Sequence, residues 1–208
     1  NEAFVTDQTL NYYEQNAAEL SRRYETTALD SFHQLLQQTW RPGARLLEIG
    51  CGSGRDAARA AADGFRGTAV DGAENLLKEA VRLHPELTDS LHHLLLPAKL
   101  PFADASFDGF FSVACLMHFN NAAIGQIISE AARVTVAGGS GLVSVPAGRS
   151  DIDAGGFDQH GRVFNVMPVD NWINLFRQHG FSAEPGPLEP DSLGRPGISW
   201  ITFILKKP

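Results

Sequence analysis

The chain has 208 residues, 43% of them hydrophobic and 20% charged, with a formal net charge of −7. That length can bury a core of its own, no stretch is apolar for long enough to cross a bilayer, and the acidic balance argues against a broad nucleic-acid surface, which needs clustered Lys and Arg. Two cysteines, Cys51 and Cys115, are too few for a disulfide framework and have no metal-ligand spacing, so no metal site is expected. With no signal peptide visible, the expected compartment is the cytoplasm.

Residues 1–40 predict two amphipathic helices. Tyr12, Tyr13, Ala17, Leu20 and Tyr24 recur at helical spacing, as do Phe32, Leu35 and Leu36. Such aromatics either pack on the core or form a cover over a ligand, and both readings stay open here. Leu46, Leu47 and Ile49 then form a short buried strand over 45–49, which runs into the cluster Gly50-Cys51-Gly52-Ser53-Gly54. A helix over 55–63, beginning Arg55-Asp56, follows the turn and would point its positive end and open N–H groups at a ligand.

Glycine turns also hold dinucleotides, but two details point elsewhere. The spacing is Gly-x-Gly-x-Gly, and Glu48 stands two residues ahead of the first glycine. A pyrophosphate disfavours that carboxylate, whereas an ammonium is attracted to it by several kcal/mol, on the order of ~4 at a near-surface dielectric. A second strand over 67–71 ends in Asp71-Gly72, where a carboxylate would accept both hydroxyls of a ribose. An ammonium-bearing nucleoside satisfies both acids.

Further strands are predicted at 90–95, 108–114, 141–145, 181–185 and 198–205, and helices at 73–83, 121–134 and 168–179. The alternation points to a mostly parallel sheet covered on both faces.

The run Leu46-Leu-Glu-Ile-Gly-Cys-Gly-Ser-Gly54 resembles the first motif of the class I S-adenosylmethionine-dependent methyltransferases. The resemblance continues through Val70-Asp71-Gly72, Leu100 to Asp108 and Glu130 to Gly139, and covers roughly residues 40–146. It implies an α/β fold: a three-layer α/β/α sandwich with a mostly parallel seven-stranded sheet, a C-terminal antiparallel hairpin and an N-terminal helical cap. On this reading residues 1–208 are one domain, with the cap at 1–40 and a Rossmann-like core at 41–208. The implied cofactor is S-adenosyl-L-methionine. Glu48, Gly50, Cys51, Gly52 and Gly54, with Arg55 and Asp56 beside them, would hold its methionine end. Asp71 and Gly72 would hold the ribose, and Leu96, Pro97 and Ala98 the adenine. Many relatives have an acidic residue near Leu96, and this chain has none there, so adenine contacts are expected to be backbone or apolar. Tyr13 and Tyr24 would lie over the methionine carboxylate or the sulfonium, where an aromatic face favours a cation by ~0.5–2 kcal/mol.

Acceptor residues are sought after the fourth and fifth strands. Candidates are Met117 and His118, then Arg149, then His160 and Arg162 in the polar loop 155–164. His118 is either a general base or a structural residue at a helix start. Arg149, Arg162 and Arg195 suit an anion, whereas Asp158 and His160 supply only part of a metal-ligand set. The end of the chain, with Asp191, Arg195 and Trp200, resembles small bacterial methyltransferases. The Asn/Asp-Pro-Pro-aromatic sequence of DNA base methylation is absent, so DNA is not an expected partner. The expected acceptor is a small molecule. The alternatives are tRNA or protein as acceptor, a non-catalytic cofactor-binding module, or a nicotinamide-dependent oxidoreductase.

Overall fold

The computed structural model describes residues 7–208. Arg45–Ile49 (β1), Arg66–Asp71 (β2), Leu91–His93 (β3), Phe107–Val113 (β4) and Thr135–Arg149 (β5) form the parallel part of a seven-stranded sheet, and Ser182–Pro190 (β6) and Ile198–Lys206 (β7) complete it. The strand order is β3-β2-β1-β4-β5-β7-β6, with β7 antiparallel to both β5 and β6. This is the expected mostly parallel sheet with a C-terminal hairpin.

Side chains alternate across each strand, so neighbours enter different cores. Leu47, Phe110 and Val143 face helices Asn121–Val134 (α6) and Val169–Gln178 (α7), where Ile124, Ile127, Trp172 and Phe176 meet them. Leu46, Phe111 and Leu142 face the other way, against Phe32, Leu36 and Trp40 of Asp30–Thr39 (α3) and its C-cap, and Ala60 of Arg55–Ala62 (α4). Glu74–Leu83 (α5) follows β2.

Several boundaries differ from expectation. The N-terminal region holds three helices, not two: Asp7–Gln15 (α1) and Ala17–Glu25 (α2), which meet at Asn16, precede α3. Leu20 and Ser21 of α2 are fully buried, and α1 and α2 both pack on α5. β3 spans three residues, whereas six were expected. β5 begins six residues before the expected Gly141, at Thr135, passing through Gly138-Gly139 with a register shift against β4. β6 runs on to Pro190 through three prolines, which an edge strand tolerates because its outer N–H positions need no partner.

Candidate functional site

A cavity of about 480 Å³ opens at the carboxyl ends of β1, β2, β4 and β5. The glycine turn shapes its floor. A Cβ on Gly50 would overlap the Cys115 side chain, and Gly54 caps α4 in the left-handed region at φ 79°. The amides of the turn are not free, as expected from sequence, but largely spent inside the protein. Gly50 and Cys51 donate to the Val70 carbonyl, and Gly54 donates to the Cys51 carbonyl. Gly52 donates to Asp71 Oδ2 at 2.7 Å, while Asp71 Oδ1 accepts from the Ala73 amide at 2.8 Å. The glycines therefore act through conformation and the space they leave. Beside them Ala114, at φ 53°, is a strained non-glycine residue joining β4 to the cavity wall.

Glu48 is 2% exposed, lines the cavity, and has an Oε2 with no hydrogen-bond partner. Burial first, then the Asp56 carboxylate, pushes its acid well above the usual range. Asp56 itself behaves oppositely. Burial alone would raise it, but His33 Nε2 at 2.8 Å and a two-pronged Arg55 outweigh that and bring it below its ordinary value. Arg55 also reaches the Tyr24 carbonyl at 3.2 Å, and Ser53 and His84 both meet Glu25. This polar belt fastens α2 and α3 to the glycine turn. Arg23 of α2 lines the same cavity and has a buried Nε without a partner. Among the described residues, two buried polar atoms of the cavity lining thus have no partner, the acceptor Glu48 Oε2 and the donor Arg23 Nε. An isolated polar group of this kind costs ~1–3 kcal/mol, which a ligand carrying both charges would relieve.

Tyr13 and Tyr24 both line the cavity, and burial raises both phenols. Cys51, Gly52, Arg55, Asp56, Asp71, Gly72, Leu96, Met117, His118, Arg149 and Arg162 are on the wall as well. Four expected residues stand apart. Gly54 contributes only its turn, and Pro97 and Ala98 lie beyond Leu96, off the wall. His160 stacks on Tyr12, with ring centroids 4.9 Å apart, in a separate outer depression with Gln8, Asn11 and Gln15. Both thiols are driven up by burial, so neither Cys51 nor Cys115 is an activated nucleophile.

Sequence reasoning passed over Arg23, which reads only as half of a basic pair, and Phe164, Leu95 and Trp200 on the wall. Leu95 is 54% exposed beside Leu96. In the sequence Leu95 reads as the last residue of the expected strand 90–95, and nothing there marks it for the site. No group of three or more metal-ligating side chains occurs among the described residues.

Residues 46–139 match a family described as a methyltransferase domain. Over those residues the chain is similar to a methyltransferase domain. An O-methyltransferase, cnsE, of Penicillium expansum is 30% identical to this chain over 158 residues, 67% of this chain and 52% of that protein. The chain spans between 31% and 54% of the length of the curated relatives it matches. In fold it is similar to Burkholderia thailandensis 1,6-didemethyltoxoflavin-N1-methyltransferase, crystallised with 1,6-didemethyltoxoflavin and S-adenosylhomocysteine: TM-score 0.74, 21% identity, 96% of this chain and 87% of that one. It is also similar to the [4+2]-cyclase SpnF, at TM-score 0.70 and 18% identity over 95% of each chain. The fold therefore hosts more than one chemistry, and the residues of this cavity have to carry the functional argument.

Proposed function

We propose that this cavity binds S-adenosylmethionine and that the chain transfers its methyl group to a small-molecule acceptor. The observation that carries the reading is Glu48 Oε2, a buried carboxylate oxygen with no partner at the end of β1. An α-ammonium is the group that satisfies it, and the orphan Arg23 Nε suits the α-carboxylate of the same zwitterion. Asp71, at the end of β2, suits the ribose hydroxyls. It already accepts two backbone amides, and a carboxylate has about four acceptor positions in all. Leu95 and Leu96 offer an apolar seat for adenine. A dinucleotide would set its phosphates against Glu48.

When bound, the sulfonium cofactor supplies an already activated methyl group, so the protein's task is to bind, orient and exclude water. The chain's residues do this with Tyr13 and Tyr24 over the cavity and with Met117, Phe164 and Trp200 on its acceptor side. His118 donates from Nδ1 to the Val163 carbonyl, so its bare Nε2 faces the Tyr13 hydroxyl. Any proton leaving an acceptor toward His118 therefore passes through Tyr13. Two unpaired cysteines suit a reducing, cytoplasmic setting.

Calorimetry tests the reading. S-adenosylmethionine and S-adenosylhomocysteine should bind and NAD should not, and Glu48→Gln should weaken both sulfur nucleosides at least about tenfold, the loss of one charged hydrogen bond. NAD binding without either sulfur nucleoside would overturn it.

A further inference from the structure

Arg149, Arg162 and Arg195 line the cavity, and all three guanidiniums are anchored alike. Arg149 gives Nε and Nη2 to Asp151 at 2.9 and 2.6 Å, and its side chain is 2% exposed. Arg195 gives the same two nitrogens to Asp191 at 2.9 and 2.7 Å, and Arg162 gives them to Asp158 at 2.9 and 2.6 Å. One edge of each fork is fixed, which orients the group and removes most of the entropy cost of using the rest. The remaining Nη1 of Arg149 and of Arg195 makes no hydrogen bond among the described residues. That of Arg162 makes only a long 3.4 Å contact with the Tyr13 hydroxyl.

The arginines are on the cavity wall, but Asp151 and Asp158 are not. The third partner, Asp191, is on the wall and fully engaged: it also accepts from Trp200 Nε1 and from the amides of Leu193 and Arg195. The half-buried Glu189 is on the same wall, and its carboxylate makes no hydrogen bond or ion pair among the described residues. The His118 imidazole reports the resulting field. Burial lowers its pKa most, and Arg162 and Arg149 lower it further. Aromatic faces complete the wall: Phe164, with the Arg149 guanidinium 3.8 Å over its ring, and Trp200.

We propose that the methyl acceptor carries a carboxylate or a similar oxyanion, held by the Nη1 edges of Arg149 and Arg195. The proposal rests on the reading of this cavity as a methyltransferase site. Charge-assisted bonds to pre-oriented guanidiniums select an acid over a neutral isostere.

The test uses protein saturated with S-adenosylhomocysteine and titrated with planar aromatic acids (benzoate, salicylate, 4-hydroxybenzoate, cinnamate), their primary amides and the matched amines. At least one acid should bind at least about tenfold more tightly than its amide, the expected worth of a charged hydrogen bond, and no amine should compete with it. Arg149→Gln and Arg195→Gln should each erase that preference while leaving S-adenosylhomocysteine affinity unchanged, which also shows that the variants fold. Amides matching the acids, or no acid binding to protein that holds S-adenosylhomocysteine normally, would overturn the proposal. Loss of S-adenosylhomocysteine binding by the wild-type chain would instead overturn the cofactor reading.

Discussion

The Tyr13 hydroxyl lies 2.8 Å from Nε2 of His118, a residue 105 positions further along the chain. The other imidazole nitrogen, Nδ1, is 2.7 Å from the Val163 carbonyl, and a carbonyl can only accept, so the ring hydrogen sits on Nδ1 and Tyr13 donates to Nε2. Burial keeps both groups neutral. It pushes the Tyr13 phenol up and the His118 imidazole down to about 4. One uncharged contact thus ties α1 to the end of β4 and to the 162–164 segment.

His118 makes stability depend on pH with a definite sign. Its folded pKa, about 4, is below the ordinary 6.5, so between those values the unfolded chain binds more protons. Stability from this group is fully present above pH 6.5 and is lost as pH falls toward 4, by up to ~3 kcal/mol. Carboxylates titrate in the same range, so the wild type should be compared with His118→Gln by chemical denaturation at pH 7.5 and 5. The wild type should lose more stability than the variant. Equal losses would mean that His118 is protonated in the fold.

Glu48 shifts the opposite way, and ligand binding should reveal it. Its acid is raised in the empty cavity, and an ammonium beside Oε2 would lower it, so somewhere in a series from about pH 5 to 8 binding of S-adenosylhomocysteine should release protons. Calorimetry in two buffers of different ionisation enthalpy measures this. The apparent enthalpies should differ for the wild type and coincide for Glu48→Gln. Coincidence in the wild type would place the ammonium away from Glu48.

Much of the fold was legible because its signals are local and redundant. The β1 run, the glycine turn and the acid at Asp71 each say the same thing, and the strand and helix alternation fixes the layers. What stayed hidden depends on tertiary context. The expected strand 181–185 stops short of Pro187 and Pro190, yet on the sheet edge both sit in β6. Asn16 interrupts what periodicity alone presents as one helix. In the site, acids and glycines near β1 and β2 were readable from spacing. Arg23 was not, because its meaning comes from the orphan state of its Nε. His160 shared a loop with Arg162 but the turn at Gly161, φ 76°, sends the two apart.

Asp71 has a structural and a binding task. Its two oxygens hold the Gly52 and Ala73 amides, so Asp71→Asn sets an NH2 group against one N–H donor. Thermal stability should fall modestly. Affinity for S-adenosylhomocysteine should fall at least about tenfold, given ~1.5–3 kcal/mol for a hydrogen bond to a charged group. An unchanged dissociation constant in the folded variant would remove Asp71 from the ribose.

The α1–α2 segment is seated on α5 by Leu20 and by Glu14, whose carboxylate accepts the Glu74 and Asn75 amides at 2.7 and 2.8 Å and so caps that helix from outside. Leu10, Tyr12 and Tyr13 of α1 add only partly buried contacts to the small cluster around Leu20 and Leu76, which puts α1 toward the low-stability end of the structure. Hydrogen exchange over residues 7–24 should slow when S-adenosylhomocysteine is added, because Tyr13, Arg23 and Tyr24 line the cavity. Equally slow exchange with and without ligand would make this segment a fixed part of the core and not a cover.

If Glu48 and Arg23 are the two ends of a zwitterion site, a crystal structure with S-adenosylhomocysteine should place the ligand's amino nitrogen within hydrogen-bond distance of Glu48 Oε2, its carboxylate at Arg23 Nε, and its ribose hydroxyls on Asp71. A bound ligand that leaves Glu48 Oε2 and Arg23 Nε without partners, or that sets its ribose elsewhere, would contradict it.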